Sequence, residues 1–282
     1  MTVSQLSVMR GEHRLYAEVR PGIGVPIVLM HGFPDNLHLY DRLLPHLDEL
    51  RPVVRFDFLG WGRSDKPAGY PYTADNQTLD LASVLDAVSD RLGQDRVVLV
   101  AHDASGPPAI DWALRHPDRV AALVLLNTYY QWQPALRLPA AIALFSTPGL
   151  RTVARALARR RPSVQSRIYR WQVGTFISDP AVRGELVPRL SGDFPSTQPA
   201  FWRLNEDLFG TLPRRRHRTP DMRRFTPPVR VVFGARDRNL NPRVARRFAE
   251  LFPNADLHLL ADARHYVQVD EPERVGQLIN AA

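Results

Sequence analysis

Cysteine is absent from this sequence of 282 residues, and lysine occurs only once, at Lys66. The missing cysteines exclude a cysteine nucleophile, a disulfide framework and thiolate metal ligands. Long apolar runs are also missing: Val120 to Leu126 and Leu138 to Phe145, the longest candidates, are far shorter than the ~20 residues that a membrane-spanning helix needs. Because the first residues carry neither a basic segment nor an apolar core, as a leader peptide would, we expect a cytoplasmic protein with no membrane partner.

Positive charge is in excess, and it is unevenly placed. The formal net charge is +8, from 37 basic and 29 acidic side chains, and residues 129–224 hold 17 arginines against 6 acidic residues. Two interpretations of these arginines stay open: they lie on solvated helix faces, or they attract an anionic substrate or surface. Because they are scattered and not joined to a platform of stacking aromatic residues, we expect no nucleic-acid partner.

Apolar runs of strand length alternate with helical patterns towards both ends of the chain. Uninterrupted runs rich in Val, Ile and Leu are typical of strands buried on both faces, so the alternation predicts an α/β fold with a mostly parallel central sheet and flanking helices. Two segments around Gly11-Glu12 predict a hairpin that adds antiparallel strands at one edge. The predicted strands are Pro26 to Met30, Val53 to Phe58, Val97 to Ala101, Ala121 to Leu126, Val229 to Phe233 and Leu257 to Leu260, and the predicted helices are Leu37 to Leu50, Thr73 to Leu92, Pro107 to His116, Arg243 to Leu251 and Pro272 to Asn280.

The alternation stops after Leu126. From Tyr129 to Phe225 the sequence shows helical segments broken by proline and glycine, without a strong strand. We therefore predict a core domain formed by residues 1–128 and 226–282, and an inserted helical cap, or lid, formed by residues 129–225.

A buried strand runs directly into small residues and then into a helix at Asp103. In Val97-Val-Leu-Val-Ala-His-Asp103-Ala-Ser-Gly106, small residues stand two before and two after the aspartate, as a tight turn around a nucleophile requires. A nucleophilic Ser105 would instead place Asp103 and Pro107 at those small positions, so we reject a serine nucleophile. Asp103 at a helix N-terminus would be held ionised by the helix dipole and free N–H groups, and it is the predicted nucleophile.

Four motifs stand in a fixed order along the chain. They are His31-Gly-Phe-Pro34, Asp57-Phe-Leu-Gly-Trp-Gly-Arg-Ser-Asp-Lys-Pro67, His102-Asp-Ala-Ser-Gly106, and Gly234-Ala-Arg-Asp237 followed by His265. This set resembles the α/β-hydrolase fold family, and within it the aspartate-nucleophile branch of epoxide hydrolases and haloalkane or haloacetate dehalogenases. The resemblance covers nearly the whole chain and implies an enzyme that acts on a small molecule, as a monomer or homodimer.

The resemblance implies a two-step hydrolysis. Asp103 attacks an sp³ carbon to form an alkyl-enzyme ester, and His265 activates the water that hydrolyses this ester. Asp237 orients the imidazole and stabilises its cation, and the backbone N–H groups of Phe33 and Ala104 form the oxyanion hole. This chemistry requires no metal, the histidines show no ligand spacing, and we expect no cofactor.

Two electrophiles remain possible for Asp103: an epoxide and a carbon that bears a halogen. Phe33 and Ala104 stand where haloalkane dehalogenases usually carry the Asn and Trp that hold the halide, so the sequence favours an epoxide hydrolase that yields a diol. The alternative is a hydrolytic haloalkane or haloacetate dehalogenase, and a further alternative is a non-catalytic ligand-binding scaffold. Tyr169 is the preferred cap proton donor and His217 a second. The other residues expected around the substrate are His31, Pro34, His102, Tyr129 and Trp171.

Overall fold

The computed structural model describes residues 3–206 and 208–282. Within them, eight strands form one sheet, and the apolar runs of the sequence supply its centre. Val28, Leu99, Val124 and Val231 are fully buried in neighbouring strands. The strands are β1 (Ser4–Arg10), β2 (His13–Arg20), β3 (Ile27–Met30), β4 (Val53–Asp57), β5 (Val97–Asp103), β6 (Val120–Thr128), β7 (Val229–Gly234) and β8 (Ala255–Leu260).

The sheet is mostly parallel, as the sequence predicts. Its strand order is β1-β2-β4-β3-β5-β6-β7-β8. Strand β2 pairs antiparallel with β1 and with β4, and all the other pairs are parallel. The predicted hairpin therefore forms one edge, and the carboxyl ends of β5, β6, β7 and β8 meet at the same end of the sheet, where α/β proteins hold their ligands.

Helices connect the strands of the sheet. Helix α1 is capped at both ends: the Thr73 side chain accepts a hydrogen bond from the Asn76 N–H, and Gly93 ends the helix in the left-handed conformation at φ 62°. The helices of the sheet region are α1 (Ala74–Leu92), α2 (Gly106–Arg115), α10 (Pro242–Ala249), α11 (Val267–Asp270) and α12 (Pro272–Asn280).

The predicted helix from Leu37 to Leu50 is wrong. Two short 3₁₀ helices, Leu37–Tyr40 and Leu44–His46, occupy this segment instead. The Asn36 side chain accepts from the His38 N–H and begins the first of them. Pro45 lies in the first turn of the second, and because it lacks an N–H group it cannot continue the α-helical bonding of the preceding turn.

Between β6 and β7 the described residues form helices without a strand. These are α3 (Ala140–Ser146), α4 (Leu150–Arg160), α5 (Pro162–Thr175), α6 (Pro180–Ser191), α7 (Phe194–Glu206), α8 (Leu208–Arg214) and α9 (Thr219–Arg224), with a 3₁₀ helix at Arg215–Arg218. In the part of the chain that the structure describes, no helix is long and apolar enough to cross a membrane.

Candidate active site

The turn after β5 presents the Asp103 side chain at the end of the sheet. Asp103 has a φ of 47°, in the left-handed region that costs energy for residues other than glycine. Gly32 permits this turn, because a Cβ atom there would lie 2.7 Å from the Asp103 Cβ. Ser105 lies beneath the turn: its hydroxyl accepts from the His102 N–H (2.8 Å) and lies 3.0 Å from the Met30 carbonyl. Asp103 therefore faces the cavity and Ser105 does not.

Two backbone amides donate to the Asp103 carboxylate. The Phe33 N–H donates to Asp103 Oδ2 at 3.1 Å, and the Ala104 N–H also donates to this carboxylate. Burial raises the pKa of Asp103, while the charge of His265 and these two amide donors act in the opposite direction. The two N–H groups that the sequence predicts for the oxyanion hole thus converge on one carboxylate.

His265 lies between two carboxylates. Its Nδ1 donates to Asp237 Oδ2 at 2.7 Å, and its Nε2 is 3.9 Å from Asp103 Oδ1. The longer distance exceeds a hydrogen bond, so Nε2 is not bonded to Asp103. Burial opposes protonation of the imidazole, but the charge and hydrogen bond of Asp237, together with the Asp103 charge, raise the pKa of His265 to about 8.

Four donors surround the Asp237 carboxylate. Oδ2 accepts from His265 and from Asn127 Nδ2 (2.7 Å), and Oδ1 accepts from the N–H groups of Asn239 (2.8 Å) and Leu240 (3.1 Å). Burial alone would raise the pKa of Asp237, but the His265 charge and these hydrogen bonds lower it below its ordinary value. Asp237 therefore stays ionised and fixes the imidazole in one orientation.

Asn127 is a positioning residue that the sequence analysis missed. It is fully buried in β6 and has a φ of 28°. Its amide donates to Asp237, and its oxygen accepts from the Gly234 N–H at 2.8 Å, which ties the end of β6 to the end of β7. An asparagine directly at the end of a buried strand was the available signal, because a buried amide needs partners.

A small cavity of about 50 Å³ lies against the Asp103 and His265 side chains. Phe33 and Tyr129 form part of its wall beside the sheet. The segment between β6 and β7 supplies a mostly apolar wall opposite the triad. The residues from this segment are Leu136, Arg137, Leu138, Pro139, Ile142, Gln172, Phe176, Asn205 and Leu208.

Of the four predicted cap residues, Tyr129 is the one that lines this cavity. The Tyr169 hydroxyl donates to the Pro34 carbonyl at 2.7 Å and its ring stacks on Phe194, so its proton is already used. Trp171 lies on the outer surface of α5 with 71% of its area exposed. His217 is exposed and lines a separate cavity.

His31 and His102 support the turns around the site and do not line the cavity beside Asp103. His31 Nε2 accepts from the Phe58 N–H at 3.2 Å, and its Nδ1 lies 2.7 Å from the Gly32 carbonyl. His102 Nε2 lies 3.2 Å from the His265 carbonyl, and its ring stands 4.8 Å from that of His265. Burial lowers the pKa of both side chains, to about 4 for His31. Both therefore remain neutral and structural, and Pro34 contributes the carbonyl that Tyr169 holds.

The arrangement defines a class of protein. An Asp–His–Asp cluster at the carboxyl ends of parallel strands, with helices inserted after the sixth strand, is consistent with the architecture of α/β hydrolases. The family model of the alpha/beta hydrolase fold matches residues 25–272, and the chain belongs to this family.

Particular relatives include enzymes of two activities. The chain is 28% identical over 272 residues to "Haloalkane dehalogenase 2" of Mycobacterium bovis, covering 93% of this chain and 88% of that one. It is 27% identical over 277 residues to a cis-3-alkyl-4-alkyloxetan-2-one decarboxylase of Shewanella oneidensis, with coverages of 91% and 81%. The solved structure of a haloalkane dehalogenase from Agrobacterium tumefaciens C58 superposes with a TM-score of 0.80 at 20% identity, over 99% and 95% of the two chains, which shows the shared fold.

Proposed function

We propose that this hydrolase is a hydrolytic dehalogenase with Asp103 as its nucleophile. The observation that carries the proposal is the geometry of that carboxylate: the Phe33 N–H donates to Oδ2 at 3.1 Å, the Ala104 N–H donates to the same carboxylate, and His265 Nε2 stands 3.9 Å from Oδ1. The similarity to "Haloalkane dehalogenase 2" along most of the chain supports the same reaction. The helices of residues 129–225 serve as the cap that keeps bulk water from the cavity.

In the first step, a carboxylate oxygen of Asp103 attacks the carbon that bears the halogen. The carbon–oxygen bond forms as the carbon–halogen bond breaks, and the electron pair leaves with the halide. In the second step, His265 Nε2 takes a proton from water, whose oxygen attacks the ester carbonyl carbon. The Phe33 and Ala104 N–H groups stabilise the oxyanion, and the alcohol leaves with a proton from His265.

The hydrogen bond of the Tyr169 hydroxyl supports dehalogenation over the epoxide reaction that the sequence favours with that donor. Opening an epoxide needs an acid beside the ring oxygen, and Tyr169 donates to Pro34 and lines no part of the cavity. An epoxide remains a second candidate because Tyr129 lines the cavity and burial raises its pKa, which keeps its phenol protonated and able to donate.

Mass spectrometry of an arrested intermediate tests the proposal. In His265→Gln the second step lacks its base, so incubation with a panel of haloalkanes and matched epoxides should accumulate the ester. A mass gain equal to the substrate minus hydrogen halide supports dehalogenation, and a gain equal to a whole epoxide favours the second candidate. His38→Gln, a change at a histidine remote from this triad, is the control. An absence of adduct in His265→Gln, with an inactive wild type, would favour the non-catalytic scaffold.

A further inference from the structure

We propose that a second cavity, adjacent to the one that holds Asp103, binds a carboxylate of the substrate; this rests on the proposed dehalogenation. The second cavity has a volume of about 380 Å³. It shares Phe33, Tyr129, Asn205 and Leu208 with the Asp103 cavity, so the two lie on either side of a common wall. Ala104, the residue directly after the nucleophile, also lines it.

The second cavity is strongly basic. Its lining includes two acidic residues, Asp75 and Asp111, and six residues with basic side chains: Arg115, Arg203, Arg214, Arg215, His217 and Arg218. Such an excess of positive charge attracts anions, and guanidinium groups match the geometry of a carboxylate.

Arg115 is the side chain most available to a ligand. Arg215 is paired with Asp111 at 3.2 Å, Arg203 with Glu206 at 2.8 Å and Arg218 with Asp221 at 2.7 Å. Arg115, at the end of α2, makes no side-chain hydrogen bond or ion pair with the residues that the structure describes. Its five N–H donors therefore remain for an incoming carboxylate.

The position of Ala104 sets the shape of the substrate. Asp103 lines the first cavity, and Ala104, its neighbour in the chain, lines the second, so the two cavities come closest to each other beside the nucleophile. A substrate whose halogen-bearing carbon contacts Asp103 would reach Arg115 through several methylene groups. The geometry thus points to an ω-halocarboxylate with an extended alkyl chain, and not to a haloacetate, whose carboxylate adjoins the reacting carbon.

Halide release from 6-chlorohexanoate and from neutral 1-chlorohexane tests the assignment. The wild type should prefer the anion, and Arg115→Gln should lower the ratio of the two kcat/KM values about tenfold, the effect of one lost charge-assisted hydrogen bond. Arg246→Gln, an exposed arginine of α10 outside both cavities, should leave the ratio unchanged. Equal turnover of both substrates, or equal effects of the two variants, overturns the assignment.

If neither compound releases halide, the dehalogenase proposal fails and the subsite is decided by binding alone. Calorimetric titration with hexanoate should then show binding to the wild type that Arg115→Gln weakens and Arg246→Gln does not. No binding of hexanoate, or identical binding by all three proteins, overturns the carboxylate subsite.

Independently, and against the expectation from the sequence that the protein has no membrane partner, we infer that the outer face of α4 and α5 binds an anionic lipid surface. Six apolar side chains on these two helices are between 41% and 71% exposed. They fall at helical spacing on one side of each helix, beside the buried Ala154 on α4 and on the side of α5 that faces away from the buried Tyr169. The six are Leu150, Val153, Leu157, Val164, Ile168 and Trp171.

Charge identifies the partner of this outer face. Residues 140–178 contain seven arginines and no acidic residue. Of these, Arg159, Arg160, Arg161, Arg167 and Arg170 are exposed and form no ion pair with a carboxylate in the described part of the chain. Two copies apposed through this face would bring like charges together, whereas anionic headgroups would neutralise them. Apolar side chains, a tryptophan and arginines on one helical surface are typical of helices that lie in a membrane interface.

Sedimentation with vesicles tests the outer face. The wild type should bind vesicles of phosphatidylcholine mixed with phosphatidylglycerol, more weakly at high salt, and bind pure phosphatidylcholine poorly. Leu157→Glu should weaken binding about tenfold. Ile23→Glu should leave vesicle binding unchanged, because Ile23 is an apolar residue outside α4 and α5 that is 82% exposed. Equal binding by both variants overturns the inference, as does a wild-type dimer in solution that Leu157→Glu dissociates.

Discussion

Replacing Asp237 with asparagine should stall ester hydrolysis through the tautomer of His265. All four partners of this carboxylate are hydrogen-bond donors. An amide offers one oxygen and one NH₂ group. If its oxygen stays with the Asn239 and Leu240 N–H groups, its NH₂ faces His265 Nδ1, which must then become an acceptor. The proton moves to Nε2, which can no longer take one from water, so we expect the second step to slow by about 10³ to 10⁴.

The same substitution should change stability in a defined pH window. The raised pKa of His265, about 8 against an ordinary 6.5, corresponds to about 2 kcal/mol of stability in the wild type. Because the folded pKa is the higher one, this stability is fully present below pH 6.5 and is lost as the pH rises through about 8. The wild type should therefore lose up to about 2 kcal/mol more than Asp237→Asn between these limits.

Two assays on one pair of variants check these expectations. Quenched-flow mass spectrometry measures the decay of the ester, and urea unfolding at several pH values measures stability. Subtracting the variant from the wild type removes the contribution of Asp80, whose pKa burial raises to about 7 at a place where Arg10, and not His265, is its charged partner. Asp262→Asn, at an exposed aspartate paired with Arg236, is the matched control. Ester decay within tenfold of the wild type in Asp237→Asn, or equal losses in both variants, would refute the reasoning.

Three further substitutions separate chemistry from packing. Asp103→Asn should abolish turnover without lowering Tm, because asparagine tolerates the positive φ and removes a buried charge; turnover near the wild-type rate would end the mechanism. Gly32→Ala should cost about 1 to 3 kcal/mol in urea unfolding, since its Cβ would lie 2.7 Å from that of Asp103, and unchanged stability would show that the turn has room. Tyr169→Phe should cost about 1 kcal/mol and slow ester hydrolysis more than ester formation; selective loss of ester formation from epoxides would instead make Tyr169 a proton donor.

The parallel strands could be predicted because their signal is local. Uninterrupted runs such as Val97 to Ala101 have few alternatives to a fully buried strand. The helix predicted from Leu37 to Leu50 was wrong for an equally local reason. Asn36 caps one 3₁₀ helix, and Pro45 lies in the first turn of another. The proline was visible in the sequence and should have received more weight than the apolar spacing.

The cap residues could not be ranked from the sequence in the same way. The partner of the Tyr169 hydroxyl is the carbonyl of Pro34, 135 positions away, and a backbone acceptor leaves no trace in residue types. The sequence does show, however, that Trp171 and Tyr169 face different directions, because residues two apart on a helix point about 200° apart around its axis. Both could not face one cavity, and the structure buries Tyr169 and exposes Trp171.

The bond between Tyr169 and Pro34 links the cap to the loop that carries the Phe33 N–H. If the helices that carry Tyr169 moved away, the Pro34 carbonyl would lose its hydrogen-bond donor. The neighbouring Phe33 N–H, which donates to Asp103, would then be held less rigidly. In the proposed mechanism, the position of the cap and the geometry of the oxyanion hole are therefore coupled through this one hydrogen bond, by about 1 kcal/mol. Substrates that hold the cap shut should hydrolyse faster for that reason, even when they make no contact with the amides themselves.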